Sequence, residues 1–212
     1  MRNIDSYTHT RGESVYLDDI PEIAGTLNAA VYGSPEAHGI IKQLHLDDAL
    51  AVKGVVKILT NKDIPGKNQI GGIVKDEPLL ADGVVHFNGM PVAIVVAENA
   101  NAAHEAVKKI KIDIEPLPVV TLARVAQQNG ALIVPPRTFK IGDSQSAFAQ
   151  CKYIFEGIAE TNGQEHLYIE TQGAYAIPVE NGAIKIYSST QGPTAVQKHC
   201  AEVLDVPMHK VE

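Results

Sequence analysis

A hairpin signal near the end of the chain constrains the fold more than any other feature. Residues 174–179 are small and apolar, and residues 183–187 alternate apolar and polar side chains. Between them lies Asn181-Gly182, a residue pair that two-residue hairpin turns favour because both positions adopt positive φ. The sequence therefore predicts two antiparallel strands joined by a tight turn.

A helix is predicted directly after the hairpin. Gly192 suits the N-cap, Pro193 suits the first helical position, and residues 194–204 carry a helical apolar pattern. Gln191 then lies at the start of the helix, where unpaired N–H groups and partial positive charge suit anionic ligands. Two roles are open to Gln191 from the residues alone: a wall of a polar pocket, or an internal partner for the strand end and the helix.

The segment before the hairpin, residues 163–173, is predicted as a strand because its Tyr, Ile and Thr residues favour β structure. His166 and Glu170 are residue types that bind metals, but in a strand they lie about 13 Å apart. That separation is too large for a shared ion, so no direct metal ligand is predicted. His166 is interpreted as a hydrogen-bonded residue that orders the segment, and the same role is open to Gln164 and Glu165.

The composition of the chain argues against several classes of function. The 212 residues carry a net charge of −7, which argues against nucleic-acid binding. No run is apolar for long enough to span a membrane, and the first residues lack the apolar stretch of a secretory signal. Cys151 and Cys200 form no CxxC pair, so we expect free thiols in a reducing, cytoplasmic compartment.

Residues 13–118 have the size and pattern of a complete domain. Strands are predicted at 14–17, 25–32, 40–46, 55–59, 84–87, 91–96 and 112–114, and helices at 47–52 and 99–110. Asn88-Gly89 predicts a hairpin between the fifth and sixth of these strands, and residues 94–97 predict a buried central strand. Asn99 or Asn101 caps the second helix.

The rest of the chain before the hairpin is less regular. Residues 119–139 are predicted to be a linker with one short helix at 122–128. Beyond it, Gly142-Asp143 predicts the cap of a helix at 144–150, and residues 153–161 predict a strand with alternating burial.

Two stretches carry a resemblance to a known family. GQEHLYIETQGAYAIP at 163–178, followed by NGAIKIYSSTQGPTAVQ at 181–197, closely resembles the molybdenum-binding subunit of the xanthine dehydrogenase and aldehyde oxidase family. SPEAHGIIKQLHLDDALAVKGVVKILTNKDIPGKNQIG at 34–71 resembles the a/b hammerhead domain that opens those subunits. The resemblance implies an α+β fold: an a/b hammerhead domain at 13–118, a linker at 119–139, and the truncated start of a molybdopterin-binding domain at 140–212.

The resemblance also implies where the cofactor is contacted. In the family the Gln of the STQ segment reaches toward the oxygen ligands of the molybdenum, and by position this is Gln191, with Gly192 beside it. Gln164, Glu165 and His166 are secondary candidates for the same surroundings. The family's glycine-rich loop and catalytic glutamate lie beyond the region that these residues cover, so no catalytic residue is assigned within them.

The expected function follows from the same resemblance. The chain is predicted to be the N-terminal fragment of a hydroxylase subunit that oxidises a purine or an aldehyde with water-derived oxygen, inactive and without bound cofactor by itself. The complete subunit would carry molybdopterin and molybdenum, and FAD and 2Fe-2S centres would lie in partner subunits or domains. We expect the remainder of the subunit as a partner, no nucleic acid and no membrane; a homo-oligomer is also open.

An alternative from another class stays open at this point. The chain could be a stand-alone scaffold or docking module, or one part of a split subunit, that packs on partner subunits. The few strands predicted in residues 140–212 would leave edge backbone groups unpaired, so we expect this part to be less ordered or to pair with another copy of the chain.

Overall fold

The computed structural model describes residues 5–212 and shows an α+β protein, which confirms the predicted fold class. The strands of this part of the chain are β1 (Asn28–Gly33), β2 (Gly39–His45), β3 (Val55–Thr60), β4 (Val84–Val85), β5 (Pro91–Ala97), β6 (Lys111–Pro116), β7 (Ala174–Val179) and β8 (Ala183–Ser188). The helices are α1 (Asp5–Arg11), α2 (Asp47–Leu50), α3 (Ala100–Val107), α4 (Ala123–Gln128), α5 (Ser144–Gln150) and α6 (Pro193–Leu204). Within residues 5–212 no helix has both the length and the apolar character that crossing a membrane requires.

The chain divides into two compact units. The larger unit contains the chain up to Val119 together with Ile169–Glu212, and the smaller unit is Val120–Tyr168. All the strands, with α3 and α6, belong to the larger unit, whereas α4 and α5 belong to the smaller one.

Antiparallel sheets form the framework of the larger unit. One sheet has the strand order β1-β5-β3, a second has β4-β2-β6, and β7 pairs with β8. β5 is the central strand of the first sheet, and its Val95 and Ala97 are fully buried while Ile94 and Val96 are half-buried. The prediction of a buried central strand at residues 94–97 is therefore confirmed.

Helix α3 packs on the first sheet through small side chains. Ala102, Ala103 and Ala106 are buried in one cluster with residues of β1 and β5, and their short side chains let the helix lie close to the strands. The Asn99 side chain caps the helix by accepting a hydrogen bond of 2.9 Å from the Ala102 N–H. Of the two asparagines that the sequence offered as the cap, the structure uses Asn99.

The hairpin predicted between residues 84–87 and 91–96 is wrong. β4 pairs with β2 in the second sheet, whereas β5 pairs with β1 and β3 in the first. Gly89 does form a turn with positive φ, but its N–H donates to Ser34 O at 2.8 Å, and the Ser34 N–H donates to Met90 O at 2.8 Å. These bonds to Ser34 hold the turn between two sheets, so the strands on either side separate instead of pairing.

The predicted hairpin and helix near the end of the chain are confirmed. β7 pairs with β8 in antiparallel register from Ala174↔Ser188 to Val179↔Ala183. Asn181 and Gly182 both have positive φ, 60° and 66°, as a type I′ turn requires. α6 begins after Gly192 with Pro193 in its first turn, as the residues indicated.

The far end of α6 is capped by a distant segment of the chain. Asp205 ends the helix in the left-handed conformation, with φ 53°. The Gly66 N–H donates to Val203 O and the Lys67 N–H donates to Glu202 O, each at 2.9 Å. Two carbonyls of the last helical turn, which have no partner inside the helix, are therefore satisfied from the loop that follows β3.

Two predicted strands, at 14–17 and at 163–173, are absent from the structure. Residues 14–17 were expected to be extended, but Leu17–Asp19 forms a 3₁₀ turn, because the Asp19 carboxylate accepts the Tyr16 N–H at 2.9 Å and closes the chain locally. The second, at 163–173, has no strand either; Leu167 and Glu170 both take positive φ, 49° and 55°, which interrupts an extended chain.

The smaller unit contains no buried residue, and only Ala126 is half-buried. Its helix α5 is capped by Asp143, whose carboxylate accepts the N–H groups of Gln145 and Ser146 at 3.1 Å. The strand predicted at 153–161 is wrong: this segment is irregular and exposed, because no strand of the described chain pairs with it. Large apolar side chains therefore face solvent, among them Phe139, Ile141, Phe155 and Ile158.

Candidate functional site

Gln191 lies between the end of β8 and the start of α6. Its side chain is exposed, and its amide forms no hydrogen bond within the described residues. Gly192 follows as the N-cap, with its N–H donating to Thr190 Oγ1 at 3.0 Å. The geometry therefore does not show Gln191 as a hydrogen-bond partner for the strand end or the helix, which is the internal role that the sequence left open.

The first turn of α6 leaves a backbone donor free beside Gln191. The N–H groups of Ala195 and Val196 donate to Gly192 O at 2.9 and 3.1 Å, and Pro193 has no N–H. The Thr194 N–H has no partner in the described part of the chain. A helix of twelve residues also places partial positive charge at this end.

The backbone before Gln191 is anchored to the start of β7. The Ser189 N–H donates to Gly173 O at 3.0 Å. The Ser189 hydroxyl is buried and has no hydrogen-bond partner among residues 5–212. A Cβ at Gly173 would lie 2.5 Å from Leu17 Cδ2, so a larger residue there would require the Leu17 side chain to shift.

Gln164, Glu165 and His166 belong to the smaller unit, and all three are exposed. The Glu165 carboxylate accepts the Leu167 N–H at 3.2 Å, a bond inside its own turn. His166 makes no hydrogen bond to any residue that the structure describes, so the hydrogen bond expected to order this segment is not present.

Glu170 has a specific task that sequence reasoning missed. Its carboxylate accepts the Leu17 N–H in a short hydrogen bond and the Asp18 N–H at 3.3 Å. These two donors begin the 3₁₀ turn Leu17–Asp19, where N–H groups lack internal partners. Across residues 5–212, no three His, Cys, Asp or Glu side chains are grouped so that they could hold a metal ion.

We call residues 14–27 the N-terminal arm, which runs beside β7. The Tyr175 hydroxyl accepts the Ile23 N–H at 3.0 Å and lies 3.3 Å from Thr26 Oγ1. Between the arm and β7 is an open cavity of about 930 Å³, lined by Ile23, Leu27 and Ile177 among others. Gln191 does not line this cavity. The cavity is a groove beside the edge of β7 and is not the site predicted at Gln191.

Two ionisable groups near the hairpin and α6 have shifted pKa values with structural causes. Burial raises the pKa of the Cys200 thiol, which therefore stays protonated at neutral pH. The hydrogen bond and charge of Glu212 raise the pKa of Lys185, so that ammonium stays charged. Neither of these two groups is a base at neutral pH.

The donor set at the start of α6 suits a group held by hydrogen bonds. A neutral amide such as Gln191 can donate to an oxygen bound to a metal without replacing a ligand. The free Thr194 N–H adds a second donor of the same kind. The residues present therefore fit the molybdenum cofactor that the resemblance implies.

Two family models match consecutive parts of the chain. The model of the aldehyde oxidase and xanthine dehydrogenase a/b hammerhead domain matches residues 11–118. The model of the molybdopterin cofactor-binding domain matches residues 125–212. The hammerhead and molybdopterin-binding character expected from the sequence is confirmed by these matches.

Individual proteins agree with the family models. The chain is 33% identical over 204 residues to xanthine dehydrogenase of Calliphora vicina, covering 94% of this chain and 15% of that protein. It is 36% identical to aldehyde oxidase 2 of Rattus norvegicus, covering 100% of this chain and 16% of the relative. The structure of aldehyde oxidoreductase from Desulfovibrio gigas superposes with a TM-score of 0.84 at 27% identity, covering 98% of this chain and 25% of that one.

The chain thus spans about 15% of the length of the curated relatives that it matches. The matches run through both of its parts in the same order as the family models. This chain belongs to the aldehyde oxidase and xanthine dehydrogenase family.

Proposed function

We propose that these residues form the hammerhead domain and the first part of the cofactor-binding domain of a larger molybdenum hydroxylase. The observation that carries the proposal is the consecutive match of both family models, at 11–118 and 125–212. The relatives include xanthine dehydrogenases and aldehyde oxidases that are several times longer. The complete protein would oxidise a purine or an aldehyde, and this part of it would be inactive by itself.

Gln191 is the residue proposed to contact the cofactor. The molybdenum–molybdopterin group, when bound, supplies the redox and oxygen-transfer chemistry. Gln191 contributes a hydrogen-bond donor that orients the group, and the Thr194 N–H contributes a second. The proposal is supported by the unpaired amide of Gln191 and its place at the start of α6.

Gln164, Glu165 and His166 are proposed as secondary contributors to the cofactor's surroundings. Their exposed side chains leave polar groups available for a bound group. They supply hydrogen bonds only and no metal ligand.

The exposed apolar side chains of the smaller unit support a role within a larger assembly. Phe139, Phe155 and Ile158 are each more than 80% exposed, and exposed apolar side chains in such numbers favour protein contacts. We propose that the remainder of the molybdenum subunit covers them. FAD-binding and 2Fe-2S subunits or domains would then accept the electrons, in the cytoplasm.

The first test is the size and metal content of the native protein. An antibody raised against this chain would be used to isolate the protein from source cells, followed by mass measurement and elemental analysis. We expect a product several-fold heavier than 22.8 kDa that contains molybdenum. A product of 22.8 kDa without molybdenum would refute the proposal and favour a stand-alone docking module.

The second test addresses Gln191 in the native-length protein. Gln191→Ala removes the donor, and we expect purine or aldehyde oxidation to fall by about 10–100-fold. Gln128→Ala, an exposed glutamine at the end of α4, is the matched control and should retain full activity. Equal activity of the two variants would show that Gln191 is not part of the site. The substrate that the native-length protein oxidises preferentially would decide between a purine and an aldehyde.

A further inference from the structure

Glu170 connects two distant parts of the larger unit. Its carboxylate accepts the N–H groups of Leu17 and Asp18, which precede it in the sequence by more than 150 residues. A charged acceptor makes a stronger hydrogen bond than a neutral one. Glu170 therefore fastens the N-terminal arm to the turn that precedes β7.

The backbone of Glu170 is held in an uncommon conformation. Its φ is 55°, in the left-handed region that residues with a side chain rarely adopt. Such a conformation persists only where surrounding contacts impose it. The two hydrogen bonds of the Glu170 carboxylate to the arm are contacts of this kind.

A short series of contacts leads from Glu170 to Gln191. The Leu17 side chain lies so close to Gly173 that a Cβ there would come within 2.5 Å of it. Gly173 O in turn accepts the Ser189 N–H at 3.0 Å, and Ser189 precedes Gln191 by two residues. These contacts connect the arm, through Gly173, to the backbone that precedes Gln191.

We propose that Glu170 is the positioning residue of the 188–192 segment: by holding the arm over Gly173, its carboxylate fixes where the Gln191 amide lies. This assignment rests on the proposed function for its significance, because only a cofactor contact makes the position of Gln191 matter. Glu170 does not touch the cofactor, and its effect passes through Leu17, Gly173 and Ser189.

The test compares Glu170→Ala, Glu170→Gln and a control, Glu180→Ala, in the isotope-labelled chain by NMR. Glu180 is an exposed glutamate in the turn between β7 and β8, in the same hairpin but away from the arm. We expect Glu170→Ala to raise the exchange rate of the Ser189 amide by roughly tenfold and to shift the side-chain amide resonances of Gln191. Glu170→Gln keeps one acceptor oxygen and should restore part of the protection, which a loss of general stability would not show.

The outcomes separate cleanly. If Glu170→Ala exposes the Leu17 and Asp18 amides but leaves Ser189 and Gln191 as in the Glu180→Ala control, the proposal is overturned. If Glu170→Ala does not fold, the comparison of Glu170→Gln with the parent chain decides by the same two signals. The measurement needs no cofactor. A native protein without molybdenum would therefore refute the proposed function but would not affect the result for Glu170.

Discussion

Replacement of Gly66 by alanine tests how the loop after β3 holds the end of α6. A Cβ at this position would lie 2.1 Å from Glu202 O and 2.9 Å from both Val203 O and Asp205 N. All three are backbone atoms, so relief requires the loop to move away from the helix. The movement would break the hydrogen bonds that Gly66 and Lys67 donate to α6.

The expected cost of this change can be built from its parts. Two lost hydrogen bonds contribute about 1–3 kcal/mol together, and forced steric displacement contributes about 1–3 kcal/mol. Alanine lowers the entropy of the unfolded chain, which offsets about 0.4–1 kcal/mol. We therefore expect Gly66→Ala to lower the free energy of unfolding of the larger unit by about 1–5.6 kcal/mol.

Gly72→Ala is the matched control for this prediction. A Cβ at Gly72 meets no atom within 4 Å, and its φ is not positive, so alanine fits without strain. Urea unfolding followed by far-UV circular dichroism should show Gly72→Ala at or slightly above the stability of the parent chain. Amide exchange at Val206 should accelerate in Gly66→Ala only, and equal stabilities of the two variants would refute the proposed cap.

Three further predictions concern other contacts. Asn99→Ala should cost about 1 kcal/mol of stability by removing the cap of α3, whereas Asn101→Ala, two residues later and inside the helix, should cost little. Thermal unfolding measures both, and similar losses would contradict the cap. Tyr175→Phe should cost about 0.5–1.5 kcal/mol because Ile23 loses its acceptor, with faster exchange of the Ile23 amide as the check. Hydrogen bonds to the Asp143 carboxylate, first of all that from the Ser146 side chain, hold its pKa below the ordinary 3.8. The ionised carboxylate therefore stabilises α5 above pH 3.8, and this stabilisation is lost as the pH falls through the lower pKa of the folded state. Amide exchange in α5 should show this loss, and Asp143→Asn should remove the pH dependence while keeping a cap.

Elements with local signals could be predicted from the sequence. The turn at Asn181-Gly182, the start of α6 after Gly192 and the cap at Asn99 each depend on residues within one or two turns of each other. Backbone conformation at such places is decided mainly by the side chains present there. These predictions are confirmed for that reason.

Pairing between distant segments could not be predicted in the same way. Asn88-Gly89 has the composition of a hairpin turn, but its role is decided by Ser34, which lies more than fifty residues earlier and bonds to both sides of the turn. Gly66 likewise contacts a distant element, because its N–H caps the end of a helix that begins at Pro193. Long-range hydrogen bonds leave no periodic pattern in either partner.

The candidate site shows the same difference between local signals, which could be predicted, and long-range contacts, which could not. Gln191 could be placed at the start of a helix from local residues, but its relation to a cofactor came only from the resemblance. Glu170 was considered as a metal ligand because His166 is nearby in the sequence, whereas its carboxylate is occupied by the N–H groups of Leu17 and Asp18. An irregular segment with positive φ at Glu170 replaced the expected strand, so the spacing argument based on a strand did not apply.

Helix α6 is fixed at both ends by parts of the chain that precede the second family match. Gly66 and Lys67 cap its last turn, and the arm holds the backbone before its first turn through Gly173 and Ser189. A rigid helix of twelve residues is about 18 Å long, so a displacement at one end is transmitted to the other. Residues of the hammerhead match therefore cap the last turn of the helix whose start carries Gln191, and we expect substitutions at Gly66 to alter the surroundings of Gln191 through that helix.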